Sequence, residues 1–147
     1  MSSVQTRIVR TASLLAWLRL VRVFQKVNRA STDSLRCRQL TPAQVEVLAN
    51  VGSSEGISQQ ELADALLVTK GNVCQLLDKM ETSGLLERRP DKRVNRLFLT
   101  DQGHQVYAEV IPRHNALLAE QFRSLSDADQ RHLLRLLRRL DHSLEQA

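Results

Sequence analysis

Aromatic residues are scarce in this 147-residue chain: only Trp17, Phe24, Phe98, Tyr107 and Phe122. Glycine occurs five times and proline three times. So little turn chemistry argues against a sandwich or barrel, while abundant leucine favours helices. No stretch approaches the roughly 18 consecutive apolar residues of a membrane span. The apolar run from Ala12 to Val23 is interrupted by Arg19 and Arg22 and preceded by Arg10, which is not a signal-peptide pattern. A soluble cytoplasmic protein is expected, with no membrane partner. The two cysteines, Cys37 and Cys74, have no close partner in sequence, so a disulfide framework is not expected. No Ser-His-Asp arrangement, glycine-rich phosphate loop or paired-carboxylate pattern stands out. His104, His114, His132 and His142 lack an i, i+4 partner. No metal, no cofactor and no enzymatic activity are expected.

What is present is basic charge, unevenly placed. Residues 1–40 carry eight Lys or Arg and one acid, residues 41–67 four acids and no base, and residues 68–96 seven bases and four acids. Two basic blocks flanking an acidic one suggest a polyanionic partner. Leu14, Trp17, Leu18, Val21 and Phe24 recur at three- and four-residue steps, predicting one long helix from about Thr6 to about Ser34. Its other face is cationic, with Arg19, Arg22, Lys26 and Arg29. Thr41-Pro42 starts a second helix carrying Val45, Val47, Leu48 and Val51, which Gly52 is expected to stop.

Ser58-Gln59-Gln60-Glu61 is a capping box, so a third helix starts at Gln59 and turns Leu62, Ala63 and Leu66 inward, ending near Leu67. Thr69 can cap a fourth, with Val73, Leu76, Leu77 and Met80 at helical spacing until Gly84. Two short helices across a tight turn make a helix-turn-helix candidate. Thr69, Lys70, Gly71, Asn72 and Gln75 remain outward near the start of the second; amides there can pair with adenine, and lysine can reach guanine or phosphate. A solvated helix face is the competing explanation. Leu85 to Arg89, a polar break over Pro90–Asn95, and Arg96 to Leu99 then read as a hairpin. Arg88, Arg89, Lys92, Arg93 and Arg96 crowd this ribbon, which could straddle phosphates and place an arginine in the minor groove. Thr100 caps a fifth long helix that Pro112 should kink or interrupt, and Ser126 caps a last one rich in leucine from Leu133 to Leu144.

In this order the residues resemble the MarR (multiple antibiotic resistance regulator) family. The matching strings run from Leu40-Thr-Pro-Ala-Gln44 through Gln60-Glu-Leu-Ala63, Val68-Thr-Lys-Gly-Asn-Val73, Leu77-Asp-Lys-Met-Glu81 and Gly84-Leu-Leu-Glu-Arg-Arg89, to Asp91-Lys-Arg93 and Leu99-Thr-Asp-Gln-Gly103. The resemblance implies a mainly α fold: a winged helix-turn-helix with long N- and C-terminal dimerisation helices and a small β-hairpin wing. Residues 1–38 and 100–147 would dimerise, and 39–99 would bind double-stranded DNA at a pseudo-palindromic operator. It further implies that Asp91 holds Arg93 by an ion pair at the wing. The DNA-contacting set is then Ser58, Gln59, Thr69, Lys70, Gly71, Asn72, Gln75, Arg89, Lys92 and Arg93. The sequence departs from the family pattern in a short wing, in Gln75 where arginine is common, and in having no cysteine before Cys37.

A dimeric repressor released by a small molecule is the function expected. Arg10, Trp17, Phe24, Arg36 and His114 are the candidate lining of an effector crevice, and the basic first helix favours a small anionic aromatic effector. Two rivals remain open: a winged-helix module that binds protein, and a thiol-based redox regulator using Cys74, beside the helix dipole and Lys70. For both cysteines the reading preferred from sequence is a small buried packing residue.

Overall fold

The computed structural model describes residues 11–66 and 70–147; Lys70 and Gly71 are placed as backbone only. Helix α1 spans Ala12–Leu35 and a single 3-10 turn, Arg36–Arg38, follows it. Helices α2 (Pro42–Ser53), α3 (Gln59–Ala65) and α4 (Lys70–Thr82) lead into strands β1 (Leu86–Asp91) and β2 (Val94–Leu99). Helices α5 (Asp101–Gln121) and α6 (Asp127–Glu145) complete the described chain. The mainly α winged-helix architecture expected from the sequence is therefore present. Among the described residues, no helix is long and apolar enough to cross a membrane.

The helix starts follow local chemistry. Thr41 Oγ1 accepts from the Gln44 amide at 3.2 Å while Gln44 Oε1 accepts from the Thr41 amide at 2.9 Å, a reciprocal box with Pro42 in the first turn. Ser58 and Glu61 form the same box at α3. Thr100 and Ser126 cap α5 and α6, as their sequences indicated. Thr11 caps α1, so the described helix begins several residues after the expected Thr6; residues 1–10, including Arg7 and Arg10, lie outside the described residues. At the other end of α4, Gly84 takes a φ of +77°, the left-handed conformation in which glycine meets no Cβ penalty. Gly52 behaves differently from expectation. It lies inside α2 rather than ending it, and its missing side chain makes room for the Tyr107 ring of α5.

β1 and β2 pair antiparallel with Leu86 opposite Leu99 and Asp91 opposite Val94. The strands therefore run through the expected break at Pro90–Asn95, and only Lys92 and Arg93 turn. Lys92 has a φ of 58°, which suits the twist of a two-residue hairpin loop. The loop before α3 adds a short third rung: Gly56 donates to Leu97 O and Leu97 donates to Ile57 O, each at 2.9 Å.

One core cluster joins Val47, Leu48 and Val51 of α2 to Leu62 and Leu66, to Val73, Leu77 and Met80 of α4, and to Leu86, Leu97 and Leu99 of the hairpin. Each element presents its predicted apolar face. Leu35, Val45 and Val110 form a smaller cluster where α1, α2 and α5 meet. α5 continues past Pro112 without interruption. Elsewhere large apolar side chains stay uncovered: Trp17 is 60% and Phe24 63% exposed on α1, and Leu140 is 51% and Leu144 66% exposed on α6.

Candidate nucleic-acid interface

Helices α3 and α4 are the predicted helix-turn-helix. Leu62, Val73 and Leu77 hold them on the core, with Ala63 and Leu76 partly buried between. That packing leaves Asn72 and Gln75 exposed on the first turns of α4. Two amide side chains free of other work can offer a donor and an acceptor together to a base edge. Thr69 lies outside the described residues, as does the Lys70 side chain.

The two residues named at the start of α3 are engaged within the protein. Ser58 is only 6% exposed, and its hydroxyl is committed to the Glu61 amide at 3.0 Å. Gln59 is half-buried and donates Nε2 to Cys74 Sγ at 3.1 Å, across the two helices. Cys74 is exposed, as is Cys37 in the 3-10 turn, which corrects the reading of either as a buried packing residue. A cysteine at position 74 faces α3 rather than the core, because the inward positions of α4 are taken by Val73 and Leu77.

The hairpin sorts its cations by the two-residue period of a strand. One face points inward: Leu86 opposite Leu99 and Arg88 opposite Leu97. Arg88 is consequently not a phosphate-facing residue; its guanidinium lies 2.7 Å from Asp78 Oδ1 on α4. The other face carries Arg89, Asp91, Val94 and Arg96. Arg89 pairs with Glu87 and lies 4.1 Å over the centre of the Phe98 ring. Asp91 is held by Arg96, at 2.9 Å, and not by Arg93 as the resemblance implied. The reason is geometric. Asp91 and Arg96 are diagonal neighbours on one face of the ribbon, whereas Arg93 is in the turn. Arg96 also donates to Gly56 O at 2.9 Å, tying the wing to the loop before α3.

Lys92 and Arg93 remain at the tip, exposed and without an ion pair among the described residues. A shallow polar groove runs between this tip and α3, lined by Gln59, Gln60, Arg93, Val94 and Asn95. Sequence reasoning named Arg96 among the wing cations but not as the partner of Asp91, and it did not single out Gln60 or Asn95. Strand alternation could have identified the Arg96 pairing, but only the packing of the wing against α3 brings the other two together. The outcome is an exposed amide pair on α4 beside an exposed cationic tip, with the intervening acids already neutralised.

A second hollow, of about 250 Å³, lies between the end of α1, the 3-10 turn and the middle of α5. Leu35, Val110 and Leu117 make its apolar wall, and Arg38, Arg113 and His114 its polar one. Arg38 is paired with Glu109. His114 has a buried Nδ1 with no hydrogen-bond partner among the described residues, and burial holds its imidazole below the usual range, favouring the neutral ring. Of the expected effector residues only His114 lines this hollow. Trp17 and Phe24 are largely exposed on α1, Arg36 turns back to Asp33 at 3.0 Å, and Arg10 lies outside the described residues.

Known proteins share this arrangement. A profile of the MarR family matches residues 38–96, from the 3-10 turn through the helix pair to the middle of β2. The transcriptional regulator HosA of Escherichia coli O127:H6 is 32% identical over 104 residues, 69% of this chain and 77% of HosA. The HTH-type transcriptional repressor MdtR of Bacillus subtilis is 28% identical over 131 residues, covering 87% of this chain and 84% of MdtR. In three dimensions the chain is similar to a mutant MarR from E. coli complexed with operator DNA, with a TM-score of 0.80, 25% identity, and coverage of 90% of this chain and 97% of that one. A helix pair with its outward face free and a cationic wing beside it, within a sequence related to these regulators along most of its length, mean that the chain belongs to the MarR family of DNA-binding transcriptional regulators.

Proposed function

We propose that the protein is a homodimeric repressor that reads a pseudo-palindromic operator and is released by a small anionic aromatic effector. The observation that carries this is the uncovered apolar surface of the terminal helices. Leu134, Leu136, Leu137, Leu140 and Leu144 of α6 are each at least 37% exposed, as are Trp17, Leu18 and Phe24 of α1. Such surface on helices that the DNA-binding core does not need is best buried against a second copy. Residues 1–38 and 100–147 then form the dimer, and 39–99 the reading unit. In that assembly Asn72 and Gln75 face the major groove, Thr69, Lys70 and Gly71 are proposed as further DNA contacts, and Lys92 and Arg93 reach the backbone or the minor groove. MdtR of Bacillus subtilis is a transcriptional repressor, and repression is the mode favoured here.

The effector follows from the hollow beside α5. Arg113 supplies a cation without an ion pair among the described residues, and His114 an unpartnered ring nitrogen, above an apolar wall that suits an aromatic carboxylate. Release requires that the ligand bind the DNA-incompetent arrangement more tightly, and its effect is bounded by that difference. The exposure of Cys74 on the recognition helix favours one second reading, release by thiol oxidation.

The test recovers the tightest-binding duplex from a randomised pool, then measures its protection pattern and its release. Two protected half-sites about one helical turn apart, roughly 34 Å, are expected. Salicylate should release the complex, and benzamide should not. A monomer at micromolar concentration, or a single half-site footprint, refutes the dimer reading. Release by oxidant that is lost in Cys74→Ser, without release by salicylate, moves the switch to the thiol.

A further inference from the structure

Arg88 is the most heavily engaged side chain between the wing and the recognition helix. It sits on β1 opposite Leu97, at an inward position, and its side chain is only 20% exposed. From there it reaches three successive levels of α4. Nη1 lies 2.7 Å from Asp78 Oδ1 and 3.8 Å from Glu81 Oε1, and Nη2 donates to the Cys74 carbonyl at 3.4 Å. The Arg88 backbone amide adds a fourth contact, donating to Glu81 Oε2 at 3.2 Å. Positions 74, 78 and 81 share one face of a helix, so a single β1 residue grips about two turns of α4.

This arrangement is not the cheapest way to fill the position. The Arg88 Nε is buried with no partner among the described residues, and an unmatched donor on a desolvated cation costs free energy that an apolar side chain opposite Leu97 would avoid. What the arginine adds is direction. The wing tip begins at Lys92, four residues beyond Arg88 and just past the end of β1, or about 13 Å away at the rise of a strand. A tilt of about 10° at the root therefore displaces the tip by about 2 Å, enough to break a hydrogen bond to a phosphate.

We propose that Arg88 is a positioning residue for DNA recognition: with Asp78 and Glu81 it fixes the angle between wing and recognition helix, and it does not itself contact DNA. The inference rests on the DNA-binding assignment. It adds that the two acids on α4, which would otherwise repel a phosphate backbone, serve as anchors of the wing.

The experiment uses the full-length protein and the tightest duplex it selects from a randomised pool, so wild-type binding reports on DNA recognition separately. Arg88→Gln, Asp78→Asn and the double variant are titrated with that duplex at several salt concentrations, with melting temperatures recorded in parallel. Each single variant should weaken binding by about tenfold, and the double variant no further, as expected of partners in one network. The dependence of log affinity on log salt should keep its wild-type slope. A purely structural role would lower the melting temperature and leave the affinity of folded protein unchanged, and that result overturns the proposal. So does a slope reduced by about one per lost phosphate contact in Arg88→Gln together with equal or tighter binding by Asp78→Asn, because Arg88 would then be a DNA ligand. Asp78 is 66% exposed, so its variant decides the matter even where Arg88→Gln fails to fold.

Discussion

Replacing Gly103 with alanine should destabilise the protein by about 3 kcal/mol, the opposite of the roughly 1 kcal/mol gain that helix propensity alone predicts. Gly103 is buried in the first turn of α5, where its amide donates to the capping hydroxyl of Thr100 at 3.0 Å. A Cβ at this position would overlap the carbonyl oxygen of Leu85, with the Leu85 carbonyl carbon at 3.0 Å and Leu99 Cβ at 3.3 Å. The carbonyl cannot swing aside. It accepts from the Thr100 amide at 3.1 Å, and the amide of Leu85 is bonded to Met80 O at 3.0 Å. Overpacking against such a backbone costs about 3 kcal/mol, the upper part of its usual range. Straining the Thr100–Leu85 hydrogen bond adds about 1 kcal/mol. Offset by the propensity gain, about 3 kcal/mol of loss remains, which for a chain of this length lowers Tm by about 6 to 12 °C. Urea unfolding followed by far-UV circular dichroism tests this, with both proteins at one concentration because the stability of the proposed dimer would depend on it. The midpoint should fall while the m-value holds. A Gly103→Ala variant as stable as the parent, or more so, would refute the reasoning.

Three further outcomes are expected. Arg93→Ala should weaken binding to many duplex sequences and lower the salt slope by about one per subunit, whereas Asn72→Ala should relax base preference by about 1 to 3 kcal/mol at one position with the slope unchanged; titration at several salt concentrations separates them, and identical behaviour would show that α4 and the wing do not divide the work in this way. Leu137→Asp combined with Leu140→Asp should shift sedimentation toward monomer at micromolar concentration and abolish operator binding, since it puts charge on surface proposed to be buried twice over; an unchanged dimer would relocate the interface. Because burial depresses the His114 pKa, the stability gained from its neutral form is present above the unfolded value and is lost as pH falls through the folded one. A carboxylate beside the ring favours its protonation, so calorimetry should find salicylate bound more tightly at about pH 5.5 than at about pH 7.5, with the difference absent in His114→Gln.

Much of this architecture is written locally. Thr41 with Gln44, Ser58 with Glu61, Thr100 and Ser126 each start a helix where the sequence indicates, because a cap is a matter of three or four adjacent residues. The inward faces of α2 and α4 were legible for a similar reason: their period is that of the helix itself. So were the outward amides Asn72 and Gln75, which are simply what the apolar stripe leaves over. Partners across elements were not legible. A list of hairpin arginines does not say that Arg88 turns to α4, Arg89 to Phe98 and Arg96 to Asp91, since that depends on a register set only when two strands pair. The same holds for glycine. In sequence Gly52 is a helix stop and Gly103 part of a cap, but in the fold each is a place where α5 packs against another segment too closely for a Cβ, the Tyr107 ring in one case and the Leu85 carbonyl in the other. Local propensity acts over neighbours along the chain and can be read there; ion pairing, register and close approach depend on distances between segments far apart in sequence, and those are fixed only when the core at Leu48, Leu62, Leu77 and Leu97 closes.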